Sequence, residues 1–339
     1  VGELAELMST AAIEATALIY HAWFTGMILM VSSREGPQVV GDWIQRTFRR
    51  QHEAKFLSSF EKLGLTGLPP AVACARYHYL SNRIGGVEVE YMPESDRKAW
   101  VRFPHPRWIY EGTAICGVPE SVSHGFLRGW YAQNGVSLKN PRLGFVCTSQ
   151  DMTAEYGFSG YFIEEDRELA PDERLRFRSG SAPPRFDPAL APVLSSPVWT
   201  GDRLVRAKRN YAVDYVVNGL AEMPPAHVAT HARLSARLIG RQYYRRLQAM
   251  LGVEEGLAAF GGFLLAMAEG QAERADVTRD GDRLVVQWHA GRVSSQAALG
   301  SEHVLAAWSG LWEGCLSTHD RLRSLTVTRC PQGATLIVG

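Results

Sequence analysis

The sequence predicts an α/β (α+β) protein made of two tandem, diverged copies of one unit, each in the order helix, helix, hairpin, helix, hairpin. Three observations carry this. The same succession of helix and strand signals occurs twice, over residues 40–165 and 228–339. The first helix of each copy stops on a Leu-Gly step, Leu63-Gly64 and Leu251-Gly252, where glycine suits a helix C-cap. Leu169–Val198, rich in Pro, Asp and Arg, separates the copies as a surface linker. The boundaries read as an N-terminal helix at 1–39, a first copy at 40–165, a linker at 166–200 and a second copy with its leading helix at 201–339. The expected relation between the copies is an approximate two-fold axis.

The elements follow in chain order. Between Thr16 and Val31 only His21 can carry charge, and the run is apolar. It falls short of the about 20 residues a membrane span needs. Glu3, Glu6 and Glu14 precede it where a signal peptide has basic residues. A helix buried in a core or dimer interface is therefore expected. Asp42–Leu63 is amphipathic, with Ile44, Phe48, Phe56, Phe60 and Leu63 on one face. His52 falls on that same face and reads as a buried structural histidine. Pro69–Asn82 is a second, less regular segment. Val87–Tyr91 alternates strictly and can pair with Ala99–Phe103 across the turn-like Pro93-Glu-Ser-Asp96. A helix over Glu120–Asn134 and strands at Leu143–Thr148 and Gly160–Glu164 complete the first copy.

The second copy repeats the plan. Arg203–Ala221 leads into it, and His231–Leu251 and Leu257–Glu273 supply the first two helical segments. Ala275–Thr278 and Arg283–His289 pair across Arg279-Asp-Gly281, a strong hairpin signal. Glu302–Cys315 is the third helix, and Ser324–Arg329 with Ala334–Val338 the closing hairpin.

Composition narrows the function. Hydrophobic residues make up 46% and charged residues 21%, a globular balance. A net charge of +1 gives no bulk attraction to nucleic acid or a membrane surface. The expected partners are thus a small-molecule substrate and a second copy in a homodimer. Five scattered cysteines without CxxC spacing read as reduced thiols of a cytoplasmic protein. There is no GxSxG elbow, no GxGxxG, no P-loop and no HExxH, so serine-elbow hydrolase, dinucleotide, NTP and zincin chemistry are disfavoured. The sequence implies no particular cofactor and leaves a metal open.

The leading helix ending in Leu-Gly, the late helix with Gly310 and Trp308 and Trp312, and the closing hairpin Thr328-Arg-Cys-Pro-Gln-Gly-Ala-Thr-Leu-Ile337 resemble the L-2-amino-thiazoline-4-carboxylate hydrolase-like family. The heme-NO-binding and 4-vinyl-reductase-type small-molecule domains are similar in architecture. The resemblance covers roughly the last third of the chain. Gln287–Ser295 lacks the cysteines of the hydrolase pattern, so no catalytic residue is carried over.

Candidate site residues come from the more polar first copy. Ala75–Tyr91 packs Arg, Tyr, His, Asn and Glu ahead of Gly85-Gly86, and such groups are costly to bury without partners. His78 is the candidate general acid/base, with Tyr77 and Glu90 as further catalytic groups. Arg76 is the candidate anchor for an anionic group, and Asn82, Trp100, His105 and Trp130 are candidate substrate contacts. The competing reading is a polar helix-to-strand junction, with Glu90 paired to Arg102. Cys116 reads as a small core residue and Cys147 as strand interior. The resemblance together with the polar run implies a hydrolase or lyase acting on a C–N or C–S bond of a heterocyclic or amino-acid-like compound. The alternatives are a non-catalytic small-molecule sensor and a metal- or heme-dependent oxidoreductase.

Overall fold

The computed structural model describes residues 2–104, 107–153, 155, 157–194, 198–292 and 302–339. The chain divides into a middle unit, Ser32–Leu204, and a terminal unit formed by the residues up to Val31 together with Val205–Gly339. The N-terminal helix thus counts with the C-terminal half, and the linker counts with the middle unit. In chain order the principal elements are α1 (Gly2–Glu35), α2 (Pro37–Lys55), α3 (Pro70–Ile84), β1 (Glu90–Ser95), β2 (Lys98–Phe103), α4 (Glu120–Gly129), β3 (Leu143–Ser149), β4 (Phe158–Glu164) and β5 (Leu175–Phe177). They continue with α5 (Gly201–Ala221), α6 (Arg233–Leu251), α7 (Leu257–Gly270), β6 (Ala275–Asp280), β7 (Arg283–His289), α8 (Glu302–His319), β8 (Leu325–Cys330) and β9 (Gly333–Val338).

In the middle unit the strand order is β1-β2-β4-β3-β5, antiparallel except for the parallel β3–β5 pair. Side chains alternate between the two faces of a strand. Tyr91, Val101, Phe145 and Phe162 therefore share the face on which α3 lies, while Met92, Trp100, Val146 and Tyr161 cluster on the opposite face beneath Ile163 and Phe186. Helix α4 meets α2 at backbone distance. A Cβ added at Gly125 would sit 2.3 Å from the Gly41 carbonyl oxygen, and one at Gly129 would sit 2.4 Å from that of Gln45.

The terminal unit has a sheet in the order β6-β7-β9-β8, antiparallel throughout. Counted within each unit, this is the order of the first four strands of the middle unit. Its third helix also repeats the glycine contact. A Cβ at Gly314 would lie 2.2 Å from the Arg237 carbonyl oxygen, and one at Gly310 would lie 2.8 Å from that of Arg233. The apolar run of α1 is covered by protein: Tyr20, Trp23, Phe24, Met27 and Ile28 are fully buried. The Trp23 indole donates to the Ala232 carbonyl at 3.1 Å. By length and composition alone, Thr10–Glu35 is apolar enough to cross a membrane.

Several elements differ in extent from the sequence expectation. Helix α2 ends at Lys55, with a short 3-10 turn beyond it, and α3 is a regular helix. The expected turn Pro93–Asp96 is mostly strand, because β1 runs on to Ser95 with an irregularity between Pro93 and Ser95. An edge strand tolerates a proline that has no N–H to give. The linker supplies β5, which pairs Phe177 with Cys147.

Candidate active site

The polar run lies mainly on α3, and its side chains take up contacts on both faces of the sheet. His78 is only 3% exposed. Its ring stacks on Tyr131 at 3.9 Å between centroids, and its Nε2 lies 3.1 Å from the Asn134 amide nitrogen. Burial, reinforced by the nearby His52, holds its pKa well below the ordinary range. That corrects the expectation of a base with a pKa near neutrality. Tyr77 is buried between Phe56 and Trp130. Trp130 also meets Phe48 and His52. Asn82 donates to the His78 carbonyl one turn back on its own helix at 2.7 Å. The Arg76 guanidinium lies over the Tyr91 ring at 5.6 Å.

Glu90 and Trp100 sit on the opposite face of the sheet from His78, as strand alternation requires. Glu90 accepts from Arg102 Nε at 2.5 Å, and Trp100 donates its indole N–H to Glu94 at 2.7 Å. Those groups are satisfied within the sheet. His105 lies outside the described residues. His52 is buried on the apolar face, as its spacing suggests, and burial with the Arg49 charge pushes its pKa down to about 4.

A cleft of roughly 220 Å³ opens instead at the end of β3, lined by Glu120, His124, Cys147, Thr148, Ser149, Gln150, Glu155, Phe177 and Ser179. At ~30 Å³ per water this is room for a compound the size of about seven waters. Pro119 precedes the first turn of α4 and places Glu120 there, with His124 one turn on. Residues four apart share a helix face. His124 Nε2 lies 3.4 Å from Glu120 Oε1. On β3, Cys147 follows Phe145 at the two-residue period and so points to the same face as α3. Its thiol reaches the Ser149 carbonyl at 3.5 Å, across a break in the β3–β4 register between Cys147 and Ser149. Phe177 on β5 pairs with Cys147 and meets the His124 ring at 4.3 Å.

Gln150 ties the walls together. Its side-chain amide donates to Glu120 Oε1 at 3.0 Å, and its backbone N–H donates to Glu155 Oε2 at 2.7 Å. Behind the cleft, Asp151 is buried with Arg107 Nε at 3.7 Å. Phe103, Tyr110, Phe126 and Phe158 surround that guanidinium. Burial raises the Asp151 pKa, against a downward pull from Arg107.

The electrostatics fix the resting protonation states. Burial pushes the Cys147 thiol up to about 12, against a weaker downward pull from Arg107. Burial lowers His124, partly offset by Glu120. Near pH 7 the pair rests as neutral thiol and neutral imidazole. An imidazole in that state accepts a proton as the thiol attacks, in the manner of a general base. Sequence reasoning missed this constellation. The Glu120/His124 spacing on a helix start was its one local signal, since β5 joins it only through the fold. Comparison with known proteins finds no match: no protein-family model, no curated protein and no solved structure.

Proposed function

We propose that the middle unit is a small-molecule hydrolase that cleaves a C–N or C–S bond of a heterocyclic or amino-acid-like compound in the β3 cleft. The observation that carries this is a thiol, an imidazole and a carboxylate lining one small cleft. For a C–N bond, Cys147 Sγ bonds to the electrophilic carbon while its proton passes to His124. The carbon–nitrogen bond then breaks, and the departing nitrogen takes that proton. Water, deprotonated by His124, adds to the resulting thioester, and the C–S bond breaks to restore the thiol. Glu120 positions His124. The reaction class itself comes from the resemblance of the last third of the chain to the thiazoline-carboxylate hydrolase-like family, which contributes no residue to this cleft. All five cysteines are free, which fits a protein of the reducing cytoplasm.

The test is turnover of a panel of thiazolines, amides and amino-acid derivatives by the full chain. Cys147→Ala abolishes the activity, and His124→Ala lowers it by roughly 10²–10⁴. Full activity in Cys147→Ala overturns the proposal. One observation favours a second reading, a binding module like the 4-vinyl-reductase-type domains: burial leaves Cys147 poor in thiolate. In that case compounds of the panel bind the cleft and none is consumed.

A further inference from the structure

We infer that the compound taken by this cleft presents a cation, an amine or amidine, to its polar wall. The inference rests on the hydrolase reading of the same cleft and adds the charge class of the substrate.

Three observations lead there. The first is Gln150, 7% exposed, whose side-chain oxygen has no hydrogen-bond partner. Its amide orientation is fixed, because the NH2 group donates to the Glu120 carboxylate and the oxygen cannot. The atom left over is therefore an acceptor, and a buried acceptor is costly to leave unfilled. The second is the balance of the lining, which among the described residues contains Glu120 and Glu155 and no Lys or Arg, while Arg107, whose charge acts on Cys147, is paired with Asp151. Each carboxylate uses one oxygen on Gln150, and Glu155 takes the Thr153 hydroxyl on that same oxygen. Two of the three lining hydroxyls are bonded within the protein, and the third, Ser179, is exposed at the rim. Thr148 bonds Ser159 at 2.7 Å, and Ser149 donates to the Gly157 carbonyl at 2.8 Å. The third is Phe177, an exposed aromatic ring in the lining beside His124, of a kind that attracts a cation to its face. A ligand meeting these groups has to bring N–H donors and positive charge. A carboxylate brings neither.

The affinity label is Cys147 itself. Three reagents alkylate its sulfur by displacing halide, with the thiol proton lost to buffer: 2-bromoethylamine, a cation; iodoacetamide, neutral; and iodoacetate, an anion. Rates are read on the Cys147 peptide of the full chain by mass spectrometry and normalised to those of free N-acetylcysteine. The ratio of the first reagent to the third cancels anything that alters the thiol's own reactivity. The expected normalised ratio is on the order of tenfold or more in favour of the ammonium reagent, since a charged cleft raises local counter-ion concentration. Glu155→Gln, which keeps an acceptor for Gln150 and Thr153, moves the ratio toward one. So does raising the salt to 0.5 M in the wild-type protein, where screening shortens to a few ångström. A ratio of one or below in wild-type protein overturns the inference. That result leaves the hydrolase reading standing, because the latter is judged on Cys147-dependent turnover alone. Loss of turnover dependence on Cys147 with a high ratio retained sinks the hydrolase reading and keeps an amine-binding cleft.

Discussion

Single side chains in the middle unit show how burial redirects chemistry. His52 and His78 have the residue type and the neighbours of a reactive pair, yet both are held neutral by desolvation. The cost appears in stability. A histidine whose folded pKa lies below its unfolded value near 6.5 binds more protons when unfolded. Its contribution is intact above pH 6.5 and is lost as pH falls toward the folded pKa, about 4 for His52. Over that window the loss is on the order of 3 kcal/mol for one such group. Urea unfolding of the wild-type chain at pH 7 and pH 5 should show the decline. His52→Phe, which stays apolar and stacks in its place, should make it shallower by the share of His52 while His78 keeps its own. An equal decline in the variant refutes the assignment. The contrast with His124 is instructive: it is partly exposed beside Glu120, so of these three histidines the one open to proton transfer is one that composition alone does not distinguish.

Elements declare themselves in sequence when their own periodicity suffices, and stay hidden when a neighbour makes them. Helix α6 and the β6–β7 hairpin follow from apolar spacing and from a glycine turn signal, and both occur, the turn itself falling at Gly281-Asp282 because Arg279 and Asp280 are still paired in the ladder. Pro93 suggested a turn because proline removes a ladder donor. It sits instead on the edge strand β1, where no partner asks for that donor. Leu175–Phe177 has no strand signal to offer: three residues become a strand because β3 lies alongside, and the cleft gains its aromatic wall only then. The site was less legible: the four-residue spacing of Glu120 and His124 was its one local signal and went unread, and their meeting with Cys147 is made only by the fold. The glycine contacts are an element-scale device found in both units, letting two helices touch backbone to backbone. Gly129→Ala and Gly314→Ala each place a Cβ within 2.4 Å of a carbonyl oxygen. Each should cost ~1–3 kcal/mol of stability by overpacking, measured by denaturant unfolding, whereas Gly262→Ala on α7, with open space around it, should cost little. Equal effects at all three positions would show that the helices do not meet this way.

At the scale of the whole chain, the terminal unit is built from two separated stretches, with the middle unit inserted between Val31 and Val205. Trp23 is fully buried in it and hydrogen-bonds a carbonyl far along the chain. Trp23→Ala should therefore destabilise by about 3–5 kcal/mol, and the loss of amide protection in hydrogen exchange should appear over α6 and α7. Loss confined to residues near position 23 would count against the arrangement. The same insertion sets an order of events during synthesis. The apolar face of α1 leaves the ribosome before the middle unit, and the helices that meet it, α5 at Tyr215, α6 at Ile239 and α7 at Gly270, are not complete until residue 270. At roughly 5–20 residues per second, that face waits on the order of ten seconds to a minute while the middle unit folds behind it. Trp23, Phe24 and Met27 are then exposed on a nascent chain, so the growing polypeptide should be a client of ribosome-associated chaperones that shield apolar segments.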